Sequence, residues 1–126
     1  MMEKMISAIK SYAAALNALD VEAYLNCFSE DAIVIDPYGS PPAEGEVGLR
    51  RWFGGMTRTW RTFDMSIRET YASGGRVAAR WEVEAQSKAG AVARFAGINV
   101  FTIDESGQIT RLEGYWDVQA MMRQIG

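Results

Sequence analysis

Apolar residues return at three- and four-residue steps through the start of the chain, at Met2, Met5, Ile6, Ile9, Ala13 and Leu16. That period predicts an amphipathic helix over residues 2–19, with Tyr12 on its apolar stripe. Asp20 is placed to cap a second, short helix in which Val21, Tyr24, Leu25 and Phe28 share one face. Residues 32–35 form a short, β-branched apolar run without alternating polar positions, which predicts a strand covered on both faces. Asp36 ends that run, and Pro37, Gly39, Pro41 and Pro42 cannot continue a paired strand, so a loop follows. Leu49, Trp52, Phe53, Met56 and Trp60 repeat helically and predict a third helix over residues 47–59. Gly54-Gly55 inside it costs about 1 kcal/mol per glycine relative to alanine, pointing to a close backbone approach or an early helix end.

The period then changes from helical to alternating. Phe63, Met65, Ile67 and Tyr71 alternate with polar residues up to Gly74-Gly75, a hairpin turn. Val77, Ala79, Trp81, Val83 and Ala85 form the apolar side of a second strand, and Lys88-Ala-Gly90 makes the next turn. In the third, Ala93, Phe95, Gly97, Asn99, Phe101 and Ile103 share a face, closed by Asp104-Glu-Ser-Gly107. A last strand over residues 108–116 leads to Asp117, which can cap a final helical turn holding Met121 and Met122. Three helices followed by a meander of strands predict a segregated α+β arrangement: a cone of curved, mostly antiparallel sheet with helices packed on one face. Its apolar mouth is a natural pocket for a small hydrophobic ligand.

Composition narrows the chemistry. With 126 residues, 48% of them hydrophobic, the expectation is one domain over residues 1–126 that buries about two thirds of its unfolded surface. A net charge of −3 offers no attraction to nucleic acid or anionic membrane surfaces. The opening Met-Met-Glu-Lys-Met lacks an apolar signal core and no run of 18 apolar residues occurs, so a cytoplasmic location is expected. The single cysteine, Cys27, lies beside no cation and reads as a packed thiol. The chain has no histidine, which removes the usual zinc ligand and the commonest acid–base group. No metal or other cofactor is expected, and any proton transfer must use Asp, Glu, Tyr or Lys.

Three polar residues interrupt the apolar pattern. Asp36 stands where a buried strand opens into a rigid loop, and an ionised carboxylate among apolar side chains loses several kcal/mol of hydration unless something stabilises it. It serves either as a turn cap or as a functional carboxylate. Asn99 interrupts an apolar strand face and needs partners for its amide, either in a core network or at a site. Tyr12 is either a core tyrosine bonded to a carbonyl or a catalytic hydroxyl. Converging on one dry cavity, the three would supply one base and two neutral donors, a set suited to enolate chemistry.

The segments Tyr12-Ala-Ala-Ala-Leu-Asn-Ala-Leu-Asp20, Glu30-Asp-Ala-Ile-Val-Ile-Asp-Pro-Tyr-Gly-Ser-Pro42 and Gly97-Ile-Asn-Val-Phe101 resemble the bacterial ketosteroid isomerases of the nuclear-transport-factor-2-like (NTF2-like), SnoaL-like superfamily. The resemblance implies an isomerase moving a proton on a β,γ-unsaturated ketone, with Asp36 as general base and Tyr12 as main oxyanion donor. Asn99 falls where those enzymes carry a protonated aspartic acid, and an amide there still donates one hydrogen bond. Phe28 and Phe53 fall where some relatives carry tyrosines, and Trp116 resembles an aromatic wall; with Phe101 and Leu112 these residues are expected to line the substrate pocket. The resemblance further implies a small hydrophobic ketone or steroid-like substrate and a homodimer through the open sheet face. Polyether-type epoxide hydrolases of the superfamily pair the aspartate with a second carboxylate near Asp64, which here alternates out of phase with the apolar face. SnoaL-type polyketide cyclases and non-catalytic binding domains share the scaffold.

Overall fold

The computed structural model describes residues 2–126. In chain order it contains α1 (Met2–Ala18), α2 (Val21–Leu25), β1 (Phe28–Ile35), β2 (Ala43–Glu44), α3 (Gly45–Thr59), β3 (Trp60–Ser73), β4 (Arg76–Ser87), β5 (Val92–Ile103), β6 (Ile109–Trp116) and α4 (Val118–Ile125). The strands form one curved, open sheet in the order β2-β1-β6-β5-β4-β3, antiparallel except for β1 against β6. Helices α1 to α3 close over its concave side, α1 against β3 and α3 against β1 and β2.

Several boundaries differ from the sequence expectation. Phe28 opens β1 rather than closing α2: it pairs with Ile109, and the Cys27 carbonyl accepts the Ile109 N–H at 2.9 Å. β1 thus begins four residues before the apolar run, through Ser29–Asp31, where a bulge lies. Ala43 and Glu44 add a two-residue edge strand against Val34 and Ile33. Helix α3 starts at Gly45, whose φ of +64° suits glycine. It runs through Gly54-Gly55 without ending early and without close backbone approach: a Cβ on Gly55 would meet nothing within 4 Å, and one on Gly54 would meet only the Arg58 guanidinium, at 3.1 Å. Trp60 leaves the helix to begin β3. After Asp117, whose carboxylate accepts the Ala120 N–H at 3.0 Å, α4 is a full eight-residue helix that buries Met121 and exposes Met122.

Register decides what the concave face presents. One cross-strand row sets Trp81, Gly97 and Trp116 side by side on β4, β5 and β6; the next sets Ala79, Asn99 and Gly114; the third sets Val77, Phe101, Leu112 and, on β1, Val34. The third row is a plain aliphatic and aromatic floor, each member at most 2% exposed. In the first, a glycine between two indoles lets the rings approach to 6.2 Å between centroids.

Two amide side chains pair strand backbone that lacks a strand neighbour. Asn17 of α1 accepts the Met65 N–H at 2.7 Å and donates to its carbonyl at 3.1 Å, pairing the outer edge of β3 as a strand residue would. Gln124 of α4 does the same for Arg94, at 2.7 and 2.8 Å, where β5 extends past the end of β6. Unpaired strand edges invite association, and each of these amides covers one residue of such an edge. The convex face carries ion pairs, including Arg80 with Glu69 and Glu82, and Arg94 with Glu84; their exposure holds each to about 0–1 kcal/mol.

A Cβ on Gly97 would stand 2.5 Å from the Tyr115 carbonyl and 2.7 Å from the Trp81 ring. Gly97→Ala is expected to lower stability by about 1–3 kcal/mol, as overpacked cores do. Urea unfolding should show a lower midpoint at an unchanged slope.

Candidate active site

Asp36 follows Ile35 at the end of β1, so strand alternation points its side chain inward with Val34. Its surroundings hold it from three sides. The Trp52 indole of α3 donates to its backbone carbonyl at 3.0 Å, and the Tyr38 N–H donates to the Gly114 carbonyl at 2.7 Å, tying the loop after Asp36 to β6. The carboxylate Oδ1 accepts the Trp116 indole N–H at 2.7 Å. A Cβ on Gly114 would collide with that carboxylate, so only glycine leaves the space it occupies. Burial pushes the Asp36 carboxyl up to about 6, and the Trp116 hydrogen bond offsets part of that rise.

Asn99 lies beside this group, across from Gly114. Its Oδ1 accepts the Trp81 indole N–H at 2.9 Å, and its Nδ2 donates to the Tyr12 hydroxyl at 3.5 Å. Tyr12 comes from the buried stripe of α1 and is 1% exposed. Burial, then the Asp36 charge, raises its phenol well above the usual tyrosine range, which keeps it protonated as a donor. Tyr24 packs nearby between Phe28 and Phe53, both at 4.8 Å, with its own buried hydroxyl unpartnered among the described residues.

The side chains of Tyr12, Asp36, Asn99 and Trp116 therefore meet at one cavity, whose remaining walls are Trp52, Trp60, Phe63, Trp81 and Phe95 with Leu16, Met56 and Met65. Phe53, Phe101, Leu112 and Phe28 do not line it; they pack in the core, Phe101 and Phe28 edge-on against the Tyr12 ring at 5.2 and 6.3 Å. The cavity measures about 40 Å³, a space for roughly one or two waters. Drug-sized ligands occupy about 300–1,000 Å³, so the aromatic rings fill most of the cone. Its rim residues Trp52, Met56, Phe95 and Trp116 are half-buried. Wider grooves along α1 and on the convex sheet face, about 640 and 520 Å³, contain no buried carboxylate. Asp64 lies exposed in the second of these, on the far side of the sheet from Asp36. Burial pushes the Cys27 thiol up to about 11, leaving it a packed group.

Trp81 and Gly114 have no role in the sequence reading, although both stand on faces the alternation predicts. The signal for them is register: each is the direct or diagonal neighbour of Asn99 across a strand pair.

A curved, mostly antiparallel sheet with helices closed over its concave side is the NTF2-like fold. Residues 9–112 match the SnoaL-like domain, and the chain belongs to that family. It is similar in structure to the Δ5-3-ketosteroid isomerase from Mycobacterium sp. (23% identity, 94% of this chain and 96% of that one, TM-score 0.81). Rv0760c from Mycobacterium tuberculosis, solved with estradiol-17β-hemisuccinate, is similar over 93% and 96% of the two chains at 20% identity and TM-score 0.81. SalBIII, an epoxide hydrolase/cyclase-like enzyme of pyran ring formation in salinomycin, is similar over 94% and 95% at 22% identity and TM-score 0.82. These likenesses establish the fold.

The folded chain holds the Asp36 proton more tightly than an unfolded chain, in which the carboxyl titrates near 3.8. Stability on this account is full below about pH 4 and falls as pH rises through 6, by about 3 kcal/mol in all. Asp36→Asn keeps an oxygen for Trp116 and removes the charge. The variant is expected to be more stable than the parent at pH 7.5 and to converge with it toward pH 4, read from urea midpoints at both pH values.

Proposed function

We propose that this protein is a cofactor-independent isomerase that moves a proton on a hydrophobic β,γ-unsaturated ketone through an enolate, as a steroid Δ5-3-ketone isomerase does. The observation that carries this reading is a buried carboxylate with a single side-chain hydrogen bond among the described residues, sharing one cavity with a neutral phenol and a neutral amide. Asp36 takes the proton from the carbon between carbonyl and alkene, Tyr12 and Asn99 donate to the oxygen as it gains charge, and Asp36 returns the proton to the γ-carbon. A carboxyl near 6 is ionised at neutral pH yet basic enough to share the proton, which favours a base that must also act as acid. The surrounding rings exclude water, so each donor acts at low dielectric where it is worth most.

The exposed position of Asp64 supports isomerisation over an epoxide-opening scheme that needs two carboxylates in one cavity. The small cavity bears on substrate size. A steroid-sized ketone enters only if rim rings swing aside, whereas a monocyclic ketone needs less displacement. Ile98 and Tyr115, exposed on the convex face at 44% and 43% with Tyr38 stacked on Tyr115 at 5.5 Å, support a homodimer through that face.

The test is conjugated-enone absorbance with a β,γ-unsaturated 3-ketosteroid and with cyclohex-3-enone. Turnover is expected with at least one; no change with either sinks the isomerase reading. Asp36→Asn should lose about 10²–10⁴-fold in kcat and Tyr12→Phe about 10²–10³-fold. In the parent, kcat/KM should climb with pH and level off above about 6, because only the ionised carboxylate abstracts the proton.

A further inference from the structure

Trp81 stands outside the proton path, yet its indole nitrogen lies 2.9 Å from the side chain of Asn99, with both residues buried, at 3% and 1% exposure. An indole N–H only donates. The amide atom facing it is therefore the oxygen, and the amide nitrogen is turned toward Tyr12 and the cavity. The indole itself is held in place. Its ring meets Phe95 and Trp116 edge-on, at 6.0 and 6.2 Å, and Gly97 below leaves no room for a side chain that would move it.

The same donor would act differently on an acid. A hydrogen bond from N–H to a carboxyl oxygen favours the ionised form. Burial and the Asp36 charge act the other way on such an acid, because it would face Asp36 across Gly114, where a Cβ would lie 3.1 Å from the Asn99 oxygen and against the Asp36 carboxylate. Tyr12 and Asp36 are the titratable groups that line the cavity with position 99; no cation does so among the described residues. An amide escapes this conflict because it donates at any pH.

We propose that Trp81 is a positioning residue for Asn99: its N–H holds the amide oxygen and so keeps the amide donor turned toward Tyr12 and the cavity. The orientation stands on geometry alone, whereas its effect on turnover rests on the enolate reading above.

Three variants test it: Trp81→Phe, Asn99→Asp and the double substitution. In ¹⁵N NMR, the Asn99 side-chain amide should shift and exchange with solvent several-fold faster in Trp81→Phe. In ¹³C NMR, the carboxyl that Asn99→Asp introduces should titrate about one pH unit lower with Trp81 present than with phenylalanine there, the effect of one charge-assisted hydrogen bond. With a ketone that the parent turns over, Trp81→Phe should lower kcat about tenfold or more at little change in KM, as misplacement of a catalytic group does. An unmoved Asn99 amide, together with the same titration of the introduced carboxyl in the single and double variants, overturns the proposal. If no variant, the parent included, turns over a ketone, the enolate reading falls, and the two NMR measurements decide the orientation by themselves. Should Trp81→Phe fail to fold, benzothienylalanine at position 81 keeps the ring shape without the N–H and permits the same NMR comparison.

Discussion

A carboxylate removed from water and given one strong donor is the constraint around which this protein is arranged. Asp36 accepts one side-chain hydrogen bond, from Trp116, and its carboxyl titrates well above the ordinary range. A second or third donor would relieve the burial and leave a weaker base. The fold therefore supplies rigidity around the group. Trp52 ties its carbonyl to α3, Tyr38 ties the following loop to β6, and Gly114 opens the space beneath it.

The strand register extends that arrangement to the opposite wall. Because Gly97 separates Trp81 from Trp116, two indoles fit in one row, and each directs its N–H at a different polar side chain of the cavity: Trp116 at Asp36, Trp81 at Asn99. The two rings also pack on one another, so Asp36 and Asn99 are held by a single aromatic cluster rather than by separate parts of the sheet. This close packing is why the cavity is small. Aromatic rings are efficient at excluding water, and a dry site strengthens every charge interaction inside it, but the same rings occupy the volume a large ligand would need.

The outer parts of the structure keep the sheet from being used in other ways. Asn17 and Gln124 pair the free backbone of Met65 and Arg94, and the convex surface sets the exposed Ile98 and Tyr115 among charged side chains. Helix α1 has two functions here, since it presents Tyr12 to the cavity and Asn17 to the sheet edge five residues later. A helix anchored at the edge of β3 holds the phenol at a constant depth.

Local periodicity was enough to read α1, α3 and the long strands β3 to β5, to put Tyr12 and Asn99 on apolar faces, and to place Asp36 at the mouth of a loop. Each of those follows from neighbours a few positions apart, where helical and alternating spacing leave a direct trace in the chain. The start of β1 at Phe28, the edge strand at Ala43 and the full length of α4 left no such trace, because distant partners decide them: Ile109 for Phe28, Val34 for Ala43, Arg94 for Gln124. The expected pocket residues Phe28, Phe53, Phe101 and Leu112 are apolar and inward, which the pattern states correctly, but whether an inward residue meets the cavity or the core depends on the helix above it. Trp81 and Gly114 are the clearest case. Their relation to Asn99 comes from turn lengths and bulges that set three strands in register, and only the assembled sheet decides which side chains end up adjacent.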